Sequence, residues 1–379
     1  MHLRQHTSYT EITSESWNAL TGTDCPALRH EYLLALETSG SATAATGWQP
    51  LPLLVENDAG RIIGAAPLWL KSHSFGELVY DFAWAQAYER AGLRYYPKLI
   101  AAVPFSPITG PRLLIAPDTD RLAVIAALTQ GARTLAEQTK ASSLHWLFTD
   151  AADAAALEEL GYLHRTGYQF HWQNQNYADF EDFLAGLSSD KRKKLKRERR
   201  HVQEAGIVME VRDGPDVTPA LWDLFYDFYT SNIQRHGGMI HLTREFFQRL
   251  GRNLPESLVL VLARRDNDYV GAAIYLRGQN TLYGRYWGGR EGFNSLHFEA
   301  CYYTPIEYCI ARGLTHFEGG AGGEHKLARG FLPVITHSMH WLRHPQFARA
   351  VADYLERERN GVEVYMDELN EHAPFKQTR

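Results

Sequence analysis

Cysteine is scarce in this chain. Cys25, Cys301 and Cys309 are the only three among 379 residues. The number is odd and no CxxC spacing occurs, which excludes a disulfide framework and a zinc-thiolate cluster as organising devices and fits a reducing cytoplasm. Long apolar runs are missing too: nowhere do about 18 apolar residues follow one another, and the N-terminal MHLRQHTSYTEITSESW has no apolar h-region. Neither a signal peptide nor a spanning helix is expected, so the expected location is the cytoplasm, free or peripheral to the inner membrane. A strong charge of one sign is also absent. Lys and Arg number 39 against 44 Asp and Glu, for a formal net charge of −5. That balance excludes a globally basic nucleic-acid-coating protein, and DNA is not an expected partner.

What is present is ample core material. Hydrophobic residues make up 45% and aromatics 12% of the chain, at a length where one core usually gives way to two domains of about 150 to 200 residues. A weak internal repeat supports the division. Leu51 to Leu70, LPLLVENDAGRIIGAAPLWL, aligns without gaps on Leu258 to Arg277, LVLVLARRDNDYVGAAIYLR, placing Gly64-Ala65-Ala66 over Gly271-Ala272-Ala273. Each copy reads strand, polar turn, strand. Each continues into a helix and a further strand: Arg121 to Thr139 then Ser143 to Phe148 in the first half, Ser295 to Ala311 then Leu314 to Glu318 in the second. The expected fold is therefore α/β, with two related units: an N-terminal domain over 1–174, carrying an aromatic-rich insertion at about 71–103, and a C-terminal domain over 175–379. Pro345 to Leu369 reads as one or two terminal amphipathic helices.

Two segments concentrate polar chemistry. Eight of the ten residues from Lys191 to Arg200 are Lys or Arg, in a helix whose Leu195, Val202 and Ala205 share one side. The other is His316 to Phe331, HFEGGAGGEHKLARGF, which mixes Gly319, Gly320, Gly322 and Gly323 with carboxylates, histidines, a lysine and an arginine. Glycines permit positive φ and close backbone approach, and the ionisable groups supply proton transfer or anion binding, so the mixture points to a working site.

Taken with Ser106-Pro107-Ile108-Thr109-Gly110-Pro111-Arg112 in the first half, SSDKRKKLKRERRHVQEAGI at the junction, and LYGRYWGG with LHFEACYYTPIEY in the second, these segments resemble the FemAB-like branch of the GNAT superfamily, the bacterial peptidoglycan biosynthesis or recognition proteins. The resemblance implies two GNAT-like domains in tandem and transfer of an acyl or aminoacyl group to a primary amine, with most of the chemistry in the second domain. By position, Lys326 is similar to the lysine of the family's FK-x-x-F element, although His325 precedes it here. Arg285-Tyr286-Trp287-Gly288-Gly289 is the nearest approach to the R-x-x-G-x-G/A pyrophosphate loop and lacks its glycine spacing.

Acyl transfer needs an unprotonated amine, donors for the oxyanion and a proton for the leaving group. A lysine-like amine of pKa about 10.4 is mostly protonated at neutral pH, so a base is required. Glu318, Glu324 and His325 are candidates for it, with Lys326 as a further catalytic candidate. Lys326, Arg329 and Arg285 are candidates for holding anionic groups, Gly320 and Gly323 for a backbone anion nest, and His297 and Glu299 for contacts at the helix that opens after Ser295. For each, a structural alternative stands beside it: turn glycines, a helix cap, or a salt bridge. His73, Trp84 and Tyr88 are candidates for acceptor recognition, with core packing the alternative for the two aromatics. Cys301 and Cys309 read as small buried hydrophobes, and His337, His340 and His344 fit no common metal pattern. No metal and no permanently bound cofactor are expected, with acyl-CoA as co-substrate. The acceptor is expected to be a small-molecule amine, an amino lipid or an envelope precursor. Two other readings stay open: a Fem-type transferase dependent on aminoacyl-tRNA, and a non-catalytic recognition module for envelope ligands. Lys191 to Arg200 would meet donor phosphates, tRNA or an anionic membrane surface.

Overall fold

The computed structural model describes residues 1–21 and 24–376. Both copies of the repeated segment fold as antiparallel hairpins. Leu53–Glu56 pairs with Ile62–Ala66, and Leu258–Arg265 pairs with Asp268–Arg277. The copies differ after Ala66. Pro67 has no N–H to give to a ladder, so the first copy breaks there and Leu68–Lys71 joins a different sheet. The second copy has Ile274 at that place and runs unbroken to Arg277.

The chain divides into two compact units, Met1–Tyr168 with Ile335–Tyr365, and Gln169–Val334 with the residues from Met366 onward. The strands Leu163–Gln173 and Leu332–Leu342 lend residues to both. This departs from a single boundary near 175, and the reason is packing. His337 to Leu342 pairs antiparallel with Ser143–Thr149, and in the following helix Val351 and Leu355 pack with Leu342 against Trp84, Tyr88 and Tyr95. Pro345–Glu371 is one helix of 27 residues.

In the first unit the strand Ser143–Thr149 is buried along its whole length, and the helix Arg121–Gln138 lays Val124, Ile125, Leu128 and Leu135 on the same core. Asp120 caps that helix by accepting the Ala123 N–H. The aromatic-rich region at 71–103 supplies the helix Phe82–Arg90 and the strand Lys98–Ala101. Arg112, the last residue of SPITGPR, is fully buried, and its guanidinium donates to the carbonyls of Ile108, Gly110, Pro111 and Leu147. It ties a loop together.

The second unit carries the sheet order Ile207–Asp213, Leu258–Arg265, Asp268–Arg277, Thr281–Gly289, His316–Glu318, followed by His171 to Gln173. The basic run forms the helix Ser189–Glu204, with Leu195 and Val202 buried. The helix Pro219–Arg235 crosses the strand Thr281–Gly289 so closely that a Cβ on Gly288 would lie 2.0 Å from the Phe228 carbonyl oxygen. Gly288→Ala must therefore push backbone apart, and we expect a loss of about 2–3 kcal/mol, read as a lower urea midpoint with the m-value retained.

Candidate functional site

The site begins where two neighbouring strands of the second unit separate. Thr281–Gly289 and His316–Glu318 run parallel, but they pair over only three positions, Thr281 with His316, Leu282 with Phe317 and Tyr283 with Glu318. Beyond these the first strand continues to Gly289 while the second gives way to the glycine-rich loop. A cavity of about 100 Å³ opens between them, bounded by Arg285, Trp287, His297, Cys301, Tyr302 and Gly319 among others.

The loop is shaped by a cation inside it. Gly320, Gly322 and Gly323 take φ of +80°, +65° and +88°, a region that residues with a Cβ seldom enter. This turns carbonyls inward: Lys326 Nζ donates to Gly320 O and Gly322 O at 2.7 Å and reaches Ala321 O at 3.4 Å. Lys326 is 3% exposed, and burial pulls its pKa down to about 8. Its donors are occupied by the loop, so Lys326 organises backbone and supplies positive charge beneath the cavity.

The facing wall comes from the helix after the strand Thr281–Gly289. Leu296–Phe298 leads into a π turn, Glu299–Tyr303, and then Thr304–Arg312, which ends at Gly313 with a φ of +66°. Pro305 explains the π turn. It has no N–H for a carbonyl in the preceding turn, and the Tyr275 hydroxyl instead donates to Ala300 O at 2.5 Å. The extra residue sets Tyr302 against His325, with the Tyr302 hydroxyl 2.9 Å from His325 Nε2, and Tyr303 against Arg329 at 3.1 Å. Ser295, expected as a cap, takes a positive φ of 64° and makes no side-chain cap.

Arg329 fixes this wall. It is 1% exposed, donates twice to Glu198 at 2.8 and 2.9 Å, and lies 3.4 Å over the Phe298 ring. That corrects its expected role as an anion-binding group, because its fork is already filled by a carboxylate. Glu299 is corrected in the same way: it is buried and accepts from Arg199 at 3.0 and 3.1 Å and from Thr304. His297 does line the cavity, with Trp287, Tyr302 and His325 rings 5.6 to 6.0 Å away and no hydrogen-bond partner among the described residues. Burial, with His325, Arg329 and Lys326 nearby, holds its pKa down to about 4, and His325 is lowered by burial and the same two cations. Both imidazoles are neutral at pH 7.

Arg285 is on the cavity wall, with Nη2 3.2 Å from the Tyr286 hydroxyl. Glu318 ends its strand at the parting, and Glu324 is exposed at the start of the short turn Glu324–Arg329. Gly320 and Gly323 belong to the loop that wraps Lys326. His73, Trp84 and Tyr88 lie in the first unit. There His73 Nε2 is 3.1 Å from Thr46 O, Trp84 packs on His145 and His340, and Tyr88 packs on Phe347. The Cys301 thiol is driven well above its ordinary range by burial and is no nucleophile.

Sequence reasoning missed His171, Tyr302 and Glu198. His171 sits opposite Glu318 in the sheet register, with its pKa held at about 4 by burial and by His316 and Lys326. Only its alternation in YQFHWQ could have hinted at it. In the basic run, Lys196 pairs with Glu181, and Arg199 with Glu299 and Glu307. Lys191, Arg192, Lys193, Lys194, Arg197 and Arg200 have no carboxylate partner among the described residues.

The profile of the FemAB-like family, described as peptidoglycan biosynthesis/recognition, matches residues 8–377. The chain belongs to the FemAB-like family. Among solved structures, this FemAB-like chain is similar to FemX at 12% identity and a TM-score of 0.57, covering 93% of this chain and 100% of that one. It is similar to a DUF2156 C-terminal domain from Agrobacterium fabrum at 10% identity and 0.55, covering 92% and 96%. It is also similar to L-PGS from Bacillus licheniformis at 11% and 0.51, covering 85% and 95%. These likenesses establish that the chain shares its α/β fold with those proteins. No curated protein matches. Among the described residues no group of His, Cys, Asp and Glu could hold a metal, and no helix is long and apolar enough to cross a membrane.

Two predictions follow from burial. Removing one partner of the Arg329 and Glu198 pair, as in Glu198→Ala, leaves a buried charge, and we expect about 3–5 kcal/mol of destabilisation in urea unfolding. His171 and His297 titrate near 4 when folded and near 6.5 when unfolded, so below about pH 6.5 the unfolded chain binds more protons. Stability should fall as pH drops from about 6.5 to 4, by up to about 1.4 kcal/mol per pH unit for each histidine. His297→Gln should flatten that slope in urea midpoints measured across the window.

Proposed function

We propose that this chain is an N-acyltransferase that moves an acyl group from an acyl thioester, with acyl-CoA as the donor, to a primary amine of a small molecule, amino lipid or cell-envelope precursor. One observation carries the reading: the strands part beside His297, a neutral imidazole without a hydrogen-bond partner on a cavity that also presents Arg285 and sits above the Lys326 charge. The family description, peptidoglycan biosynthesis/recognition, supports an envelope acceptor.

In this reading the thioester carbonyl lies in the parting, where strand N–H groups freed from pairing can hold its developing oxyanion. Glu318, at the strand end, accepts the proton that the ammonium must lose before it can attack. A neutral amine then forms the C–N bond, and the adduct nitrogen, far more acidic than the original ammonium, gives its second proton to His297. The C–S bond breaks, and His297 returns that proton to the thiolate, leaving amide and free thiol. A base of pKa near 4 suits this second transfer and not the first. Arg285 holds an anionic part of a substrate.

The test is thiol release from a panel of acyl-CoAs with primary amines. We expect His297→Ala to lower kcat about 10²- to 10³-fold and Glu318→Gln to steepen the dependence on alkaline pH, since the amine must then arrive already neutral. Unchanged rates in both variants, with the fold intact, would remove the assigned proton acceptors. A second reading, aminoacyl transfer from tRNA, is favoured by the six unpaired cations of the basic helix. It expects salt-sensitive tRNA binding that disappears when Lys191 to Arg197 are neutralised, and no binding at low salt would dismiss it. A third, non-catalytic recognition of an envelope ligand, expects binding without thiol release from any thioester.

A further inference from the structure

A second concavity lies wholly within the first unit and has no part in the proposed acyl transfer. Three separate turns meet there: Arg94 follows the helix Phe82–Arg90, Lys140 follows the helix Arg121–Gln138 with a positive φ of 56°, and Arg343 with His344 joins the strand Leu332–Leu342 to the terminal helix. Together they line a cavity of about 340 Å³ whose apolar wall includes Leu93 and Ala141. That size suits a small molecule.

Its electrostatics are unbalanced. No Asp or Glu lines it, and none of Arg94, Lys140 and Arg343 has a side-chain partner among the described residues. Elsewhere in the same unit Arg29, Arg61, Arg121 and Arg165 each pair with a carboxylate. Two further polar groups at the cavity lack partners. Tyr88 is 3% exposed and its hydroxyl makes no hydrogen bond, although buried hydroxyls nearly always do. His344 Nδ1 is buried without a partner as well. The terminal helix opens at Pro345 on the same wall, and its first turn holds no acidic residue. Three cations, an orphan hydroxyl and the positive end of a helix 27 residues long all favour a ligand with several acceptor oxygens and negative charge.

We propose that this cavity binds the phosphate group of a small phosphorylated ligand, with Arg94, Lys140 and Arg343 contacting the phosphate oxygens and the Tyr88 hydroxyl donating to one of them. The remaining volume beside Leu93 takes the organic part. A soluble phosphate ester and a phospholipid headgroup share this chemistry, and the test separates them.

The experiment uses the full chain. Calorimetric titration with glycerol 3-phosphate and with sodium pyrophosphate probes the soluble source, and co-sedimentation with phosphatidylglycerol vesicles against phosphatidylcholine vesicles probes the lipid one. The Arg94→Gln, Lys140→Gln, Arg343→Gln triple variant changes only exposed side chains and should keep its unfolding midpoint. We expect saturable binding to at least one phosphate probe, weakened about tenfold or more per charge-assisted contact removed and lost in the triple variant. Tyr88→Phe, which keeps the ring packing on Phe347, should weaken the same binding several-fold. Loss for the soluble probes assigns a phosphate ester, and loss for phosphatidylglycerol vesicles alone assigns a headgroup. No saturable binding to any probe, or binding within twofold of the parent in the triple variant, overturns the proposal.

Discussion

The second unit is held in working shape by one buried ion pair. Arg329 and Glu198 meet away from water, and around them converge the basic helix, the π turn and the short turn that follows the glycine loop. Two charges in that setting are tolerated because each is also hydrogen-bonded: the Tyr303 hydroxyl contacts both, and Arg329 Nη1 donates to His325 O at 2.6 Å. That last bond sets the backbone of His325 and, through it, the meeting with Tyr302. The placement of the cavity's imidazoles thus depends on a glutamate that lies in the most basic stretch of the chain.

Lys326 applies the same rule on a smaller scale. Glycine loops of five residues lose much conformational entropy on ordering, and a buried ammonium needs oxygen ligands. Each requirement answers the other here, since the carbonyls that positive φ turns inward are the ones the lysine takes. The first unit contains a parallel case. Lys98 is fully buried between Glu77 and Asp81, and the hydrogen bonds continue through Tyr95 to His145 and His340, both held neutral by burial. Opposed charges pull Asp81 down to about 2 while burial lifts Glu77 to about 7. Both units therefore pack polar networks inside cores that their sequences read as apolar.

Hairpins, the helix after each hairpin, the basic helix and the terminal helix were all legible, because alternation, helical spacing and turn chemistry are local signals. The repeat was legible as well, but that its first copy breaks at Pro67 was seen only in the sheet pairing. Roles of single charged residues were not legible. Arg329 and Glu299 stand in a motif that looks like a site, yet their partners lie about 100 or more residues away in sequence, and no spacing rule connects Arg329 to Glu198. His171 was invisible for the same reason: its significance is its register against Glu318.

By itself the sequence determined the α/β class, the two related units and the segment around residue 320 as the place to look, since periodicity, turn chemistry and composition act over a few residues. Only the tertiary structure decided which charges face a cavity and which are consumed by partners, where the strands separate, and that Ile335–Tyr365 returns to the first unit. Those outcomes follow from burial and long-range pairing, whose energies depend on which groups share a water-free space.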